Sequence, residues 1–538
     1  MKKRTILIAA MLIFVASAAS AQSNSFNLGK WVEIQSALLK ELNRSYVDSL
    51  PVDRIERAGV DAMLENLDPY TEYVPQEDED DLEMMINKSY GGIGAVIYKP
   101  DVDGNVIINE PYANSPAARY NLQCGDEITA IDGVSVAGLT ASDASSRMKG
   151  EPGSTVVFTV KKLRSGDTLD SPVVRERIHL PDIEYAGMLD ATTGYILQSG
   201  FTEGVAQEMR KQVLRLKNEC GMKQLVLDLR GNGGGILQEA VGIVSLFVPR
   251  GSLVVSAKGK DARSNFSYKT TQDPVDTKMP LIVLVDSGSA SASEIVSGAL
   301  QDLDRATIMG RRTFGKGLVQ SFRQLPYGGK LKVTTAKYYT PSGRCVQAID
   351  YSQRNEDGSV GAIPDSLTHE FRTARGRVVR DGGGITPDEE LTQKEYSRLT
   401  YSLVMNGVVE QYALEYVRAH ASIPATEDFH FSDEEYEDFI RYAKGREFDY
   451  RSSAKTYFDQ MLKELRRDGL EESMQAEVDA LGKALDMEKE EFLRLKKDEI
   501  IPFIEEEIVV RYYFQSEGVK IRIRYDDQLR EALQRPLI

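Results

Sequence analysis

Lys223-Gln224-Leu225-Val226-Leu227-Asp228-Leu229-Arg230-Gly231-Asn232-Gly233-Gly234-Gly235 is the stretch on which the fold turns. A short, continuous apolar run that stops at a glycine-rich loop reads as a strand delivering a loop to one end of a sheet. The pattern repeats on both sides. Upstream, the strand Gly194-Tyr195-Ile196-Leu197 precedes a helical stretch from Val205 to Lys217; downstream come a helix from Leu237 to Phe247, the strand Leu281-Ile282-Val283-Leu284-Val285 and a helix from Ala290 to Leu303. Strands alternating with helices predict an α/β core. In such folds ligands collect beyond the carboxyl ends of the strands. Two loops just past predicted strands, Asp228 to Gly235 and Gly288-Ser289-Ala290-Ser291-Ala292-Ser293-Glu294, together with Thr313-Phe314-Gly315-Lys316-Gly317, are therefore the chemistry-bearing candidates.

The regions outside this core have different textures. Asn27 to Met85 carries apolar residues at helical spacing (Ile34, Leu38 and Leu42; Val60, Met63, Leu64 and Leu67), which predicts an N-terminal helical segment followed by the acidic run Glu77 to Asp81. From Tyr90-Gly91-Gly92-Ile93-Gly94 the chain turns β-like, with a turn at Asp103-Gly104, a short helix start at Ser115-Pro116-Ala117-Ala118, a turn at Asp132-Gly133 and a strand from Val156 to Lys161. Past about Glu389 the pattern becomes helical and acidic, with net charge −10 over residues 391–538. The division predicted is 1–21, 22–86, 87–180, 181–390 and 391–538.

Residues 1–21 have the layout of a secretory signal peptide: Lys2-Lys3-Arg4, an apolar stretch from Ile6 to Ala16, and a small-residue site ending at Ala21. The apolar stretch is shorter than the roughly 20 residues a spanning helix needs. The expectation is export to the periplasm, the cell envelope or the exterior, with no stable membrane span once the signal is removed. The 538 residues hold 66 basic and 82 acidic side chains, net charge −16. That balance, without a long basic run, argues against nucleic acid as a partner. Cys124, Cys220 and Cys345 are too few for a disulfide framework. Four histidines (His179, His369, His420 and His430) in no metal-ligand spacing leave no metal site to assign, and no cofactor is expected.

A hydroxyl nucleophile needs a base, and a lysine serves when it is neutral. Acyl transfer also needs backbone N–H donors around the oxyanion, and consecutive glycines let the backbone approach substrate closely. The three loops supply all of these. They also resemble the carboxy-terminal processing proteases, or tail-specific proteases, a serine peptidase family with a Ser-Lys active site. The resemblance runs from about Leu38 to Asp388. It implies Ser291 as nucleophile, Lys316 as general base and Gln320 as the group orienting the lysine. It places the oxyanion hole at the Ala292 amide and a first-loop glycine, Gly234 favoured, with Gly233 and Gly235 open. It further implies a crotonase/ClpP-like α/β catalytic core in a multidomain α/β chain. A small β-rich PDZ domain would use Tyr90, Gly91, Gly92, Ile93 and Gly94 to bind the carboxylate of protein or peptide substrates with exposed C-termini. The resemblance admits a homodimer.

Other readings compete. Ser289 and Ser293 flank Ser291 in similar surroundings, so the family motif alone selects Ser291. Arg230 reads as a loop brace and Glu294 as a stabiliser of its helix N-terminus. Gly310 to Lys316 has P-loop spacing, but Gly317 stands where a magnesium-binding Ser/Thr belongs. No Gly-x-Ser-x-Gly elbow surrounds Ser291, and His179, nearest the core in sequence, reads as a surface or hinge histidine, which disfavours a Ser-His-Asp triad. The alternative from another class is a catalytically inactive PDZ scaffold or adaptor of the cell envelope.

Overall fold

The computed structural model describes residues 25–99, 103–352, 354–355 and 359–537. The expected signal peptide, residues 1–21, lies outside them. The chain divides at Tyr73/Val74 into two compact units. In the first, helices occupy residues 25–45 and Val52–Glu65. The helical reading of Asn27 to Met85 is broken by an extended segment, Glu72–Val74, before helix resumes at Glu79–Asn87.

The second unit is built around a six-stranded sheet: β1 (Ile183–Met188), β2 (Thr193–Gln198), β3 (Gln224–Asp228), β4 (Leu281–Val285), β5 (Thr307–Gly310) and β6 (Glu389–Glu390), side by side in chain order. β1 is antiparallel to β2, and every later pair is parallel. Parallel strands in sequential order with right-handed crossovers must put all crossover helices on one face. So it is here: α1 (Val205–Asn218), α2 (Leu237–Ser245) and α3 (Ala292–Asp302) bury Met209, Val213, Ile243 and Val296 against Leu225, Leu227 and Val283.

The alternating residues, Tyr195, Val226, Ile282, Leu284 and Met309, point to the opposite face and are just as buried. What covers them is the end of the chain. Leu529 and Ala532 of α4 (Asp527–Ala532) pack there, with Ile523 beside them. The strands read as unbroken apolar runs because both faces are buried. Leu529 is 3% exposed, so Leu529→Ala is expected to destabilise the core by about 2–5 kcal/mol. The loss would be read as faster amide exchange in β3–β5; unchanged exchange there would contradict this layering.

A second sheet runs Leu318–Gln324, Lys330–Tyr339, Leu253–Gly259 and Phe266–Lys269 in spatial order. The small β module forms its own sheet, with Ala95–Tyr98 at one edge, Val106–Pro111 next to it, and a separate core of Ile108, Ile128, Phe158 and neighbours. Ser115 caps the short helix Pro116–Arg119 as the Ser-Pro pair implies. The C-terminal helices enclose a third core around Tyr412, Phe439 and Ile504. They also strap the β module: Arg511 donates to Asn109 Oδ1 (2.6 Å), and the Gln515 N–H donates to Glu110 Oε1 (2.9 Å). Among the described residues no helix is long and apolar enough to cross a membrane.

Candidate active site

β4 ends at Val285, and α3 begins at Ala292, seven residues later. Between them the chain turns sharply, with Asp286 Oδ1 accepting from the Gly288 (2.9 Å) and Ser289 (3.1 Å) amides. Ser291 ends the turn at φ 56°, ψ −110°. A positive φ on a non-glycine residue is strained and is found where a strand-to-helix elbow presents a side chain. The elbow thus exists with Ser289 and Ser293 standing where a Gly-x-Ser-x-Gly motif has its glycines. The three serines, alike in sequence, are separated by the fold. Ser289 and Ser293 are buried and donate their hydroxyls to Leu229 O (2.7 Å) and Asn232 O (2.8 Å). Ser291 is only half-buried.

The first loop is stitched to this elbow. Asn232 O also accepts the Ala290 N–H (3.0 Å), and the Gly231 N–H donates to Asp286 Oδ1 (2.8 Å). Gly234, at φ +99°, lies so close that a Cβ on it would sit 2.6 Å from Ala290 O and 2.8 Å from both Ala292 N and Ser291 Cβ. Only glycine fits. Its N–H donates to Asn232 Oδ1 (2.9 Å). To serve as an oxyanion donor, Gly234 must exchange that acceptor for the substrate.

The lysine loop arrives from the opposite side, and a carboxylate joins the two. Glu294 is completely buried in the first turn of α3. Its Oε2 accepts the Ser291 N–H (2.9 Å) and the Lys316 N–H (2.8 Å). Its Oε1 accepts the Thr313 hydroxyl (2.6 Å) and the Gly315 N–H (2.8 Å). The backbones of Ser291 and Lys316 are thereby held by one oxygen atom. Burial pushes the Glu294 carboxyl up to about 7, against the pull of these four donors. Tyr338, from the second sheet, closes the junction from below: its hydroxyl lies 2.7 Å from Lys316 O and 3.1 Å from Ser291 O and shares its proton between them.

The helix-stabilising role read for Glu294 covers only its bond to Ser291. Its three bonds to residues 313–316 have no signature in local spacing, and Tyr338 carries no sequence signal at all. Gln320 sits three residues beyond the lysine loop, on the strand Leu318–Gln324, and donates its amide to Thr334 Oγ1 (3.2 Å). Arg230 is a brace: it grips Asp228 through Nε (3.0 Å to each carboxylate oxygen) and Nη2 (2.5 Å). Among the described residues no cluster of His, Cys, Asp or Glu is suited to holding a metal ion.

In the β module, Ser89–Gly92 pairs antiparallel with Glu176–His179, which places Tyr90 opposite Ile178 and makes His179 part of a strand end. Gly91 is obligatory, since a Cβ there would meet Gly150 O at 2.1 Å. Ile93 O accepts from Ala117 N (2.8 Å) and Gly94 O from Tyr112 N (2.9 Å). This loop leads directly into the edge strand Ala95–Tyr98.

A family model described as peptidase family S41 matches residues 192–353. One described as a PDZ domain matches 107–162, and one described as the C-terminal helical domain of a probable PDZ-protease matches 399–535. A carboxy-terminal-processing protease of Bartonella bacilliformis is 33% identical over 350 residues, 64% of this chain and 79% of that protein. A probable CtpA-like serine protease of Staphylococcus aureus is 33% identical over 351 residues, 64% of this chain and 68% of its own length. Similar solved structures include a photosystem II D1 C-terminal processing protease (25% identity, 65% of this chain and 90% of that one, TM-score 0.34). Another is the PDZ domain of the carboxy-terminal protease from Vibrio cholerae in complex with peptide (32% identity, 17% of this chain and 99% of that one, TM-score 0.16). With its elbow serine, its PDZ module and this kinship, the chain belongs to the carboxy-terminal-processing serine proteases of peptidase family S41.

Proposed function

We propose that the protein is an exported endopeptidase that selects substrates by their C-terminal tails and cuts them with Ser291 and Lys316. The observation that carries this reading is the single oxygen, Glu294 Oε2, that accepts from both the Ser291 and Lys316 amides. In the proposed reaction, neutral Lys316 Nζ takes the Ser291 hydroxyl proton as Oγ attacks the scissile carbonyl. The Ala292 amide and the Gly234 amide, released from Asn232, hold the tetrahedral oxyanion. Collapse transfers the lysine's proton to the leaving amine. Water, deprotonated by the again neutral Lys316 amine, then attacks the ester on Ser291, and collapse returns that proton to Ser291 Oγ as the new carboxyl end is released. Gln320 is proposed to orient Lys316 from the adjoining strand.

Tail selection is assigned to the PDZ domain, proposed over residues 87–180. The loop from Tyr90 to Gly94 would take the terminal carboxylate on its amides while the peptide adds as a strand beside Ala95–Tyr98. Support comes from the position of that loop, which leads directly into the edge strand Ala95–Tyr98. Export rests on the leader-like residues 1–21. Cleavage of a tailed model protein tests the reading. Wild type should cut the free-acid tail, whereas an amidated tail, lacking charge-assisted hydrogen bonds, should be cut roughly 10–100-fold less efficiently, mainly through KM. Lys316→Ala should cut neither. Equal efficiency on free and amidated ends would remove tail selection, and turnover by Lys316→Ala would remove the mechanism.

A further inference from the structure

The C-terminal helices reach the active-site loop itself. Arg230 lies two residues beyond β3, at the entrance to the glycine run, and its guanidinium is shared between two carboxylates. The inner one, Asp228, is 1% exposed and also accepts the Tyr195 hydroxyl (2.7 Å) and the Arg230 N–H (2.9 Å). The outer one is Asp526, 296 residues further along the chain, whose Oδ2 accepts from Arg230 Nη2 at 2.5 Å. Gln528 Oε1 accepts from Nη1 at 2.9 Å. Asp526 is in turn fixed: its Oδ1 caps α4 by accepting the Leu529 N–H (2.9 Å), and Leu529 is embedded in the second face of the catalytic sheet. A rigid chain of contacts therefore runs from the core of the sheet, through α4, to the residue that opens the glycine loop.

We infer that Asp526, assisted by Gln528, is a positioning residue for the oxyanion-binding loop, so that the C-terminal helical segment completes the active site. This rests on the proposed reading of residues 231–235 as the amide cradle. Asp228 takes the Arg230 backbone N–H, Nε and Nη2 but not Nη1, and alone it ties the loop only to β3. The outer grip fixes the far end of the guanidinium, and with it the direction in which Gly231 to Gly235 leave the strand. Bidentate and multi-partner arginine contacts carry directional information that a single charge pair lacks. A displacement of about 1 Å in such a cradle costs on the order of 100-fold in rate.

The test is the double variant Asp526→Ser/Gln528→Ala in the full-length protein, since serine retains the capping oxygen for α4. The expected result is a kcat about 10–100-fold below wild type with KM for a tail peptide unchanged. Faster amide exchange should be confined to residues 229–236, with β3–β5 protected as in wild type. Asp526→Glu, which keeps the carboxylate, should recover most of the activity. Wild-type kcat in the double variant with an unchanged loop would overturn the inference, and so would faster exchange spreading through β3–β5, which would make the contact one of packing alone. Ser291→Ala, run in parallel, separates the two levels. If it still turns over substrate, the reading of the site fails, while loop exchange, which needs no chemistry, still decides the tether. If it is inactive and the double variant is fully active, only the tether fails.

Discussion

Lys316→Ala is expected to lower kcat by at least about 1,000-fold while leaving the protein folded. The size follows from the proposed role, because without a base the serine hydroxyl must lose its proton to water. The preserved fold follows from how the loop is fastened. Lys316 is held through its backbone, by the N–H bond to Glu294 and the carbonyl bond to Tyr338, and neither needs the side chain. Lys316→Arg should be nearly as inactive, since a guanidinium keeps its proton at any working pH. In the proposed reaction the neutral amine is the active form, so the rate of the chemical step in wild type should rise with pH through the amine's titration. A flat profile with chemistry limiting would contradict its role as base, as would activity in the arginine variant.

The second large effect belongs to Glu294. Its carboxylate is matched to four donors, two on each oxygen. Glu294→Gln keeps the volume but offers one acceptor oxygen and an NH2 group, so one pair of donors must face another donor. Orphaned buried donors cost about 1–3 kcal/mol each. If the pair lost is Ser291 and Lys316, the elbow and lysine loops are no longer clamped together. A fall in kcat of about 10–100-fold is expected.

The same residue makes a pH signature. In the folded protein the carboxyl titrates at about 7, raised from the ordinary 4.5 by burial. Between those values the folded state holds a proton that the unfolded state has released, so stability declines as pH climbs through this window. The decline levels off above about 7, when the buried charge is fully formed. A shift from 4.5 to about 7 corresponds to about 3 kcal/mol. Glu294→Gln cannot ionise and should lose this slope. Parallel denaturation curves for wild type and variant at pH 5 and pH 8 read it directly; identical pH dependence in the two would contradict the assignment.

Much of the architecture was legible because it follows from local pattern. Leu225-Val226-Leu227 and Leu281 to Val285 are strands with both faces buried, and their unbroken apolar character says so. Helices predicted over Val205 to Lys217 and Leu237 to Phe247 are found at Val205–Asn218 and Leu237–Ser245. The same apolar continuity carried a further message: strands apolar on both sides need a second cover, and the crossover helices supply only one. The C-terminal helices were visible by their periodicity. That α4 provides the missing layer was not, since nothing in Asp526 to Ala532 encodes which distant surface it meets.

The site divides in the same way. Glycine runs and the elbow loop stand out in the sequence because backbone geometry restricts which residues can occupy them, as the collisions awaiting a Cβ on Gly234 demonstrate. Glu294, Tyr338 and Asp526 do not stand out. Each acts on a partner brought near only by tertiary folding, 19–22 residues away for Glu294 with the lysine loop and 296 for Asp526 with Arg230. Ser289 and Ser293 illustrate the limit from the other side: identical neighbours in composition, they are set apart from Ser291 by where their hydroxyls are buried.

The most direct measurement is peptide turnover by purified Ser291→Ala, compared with wild type on a substrate carrying a free C-terminal tail. Folded Ser291→Ala with no detectable cleavage is the predicted outcome. Cleavage at the same bond, at a rate within a few-fold of wild type, would mean that the hydroxyl at the elbow is not the nucleophile.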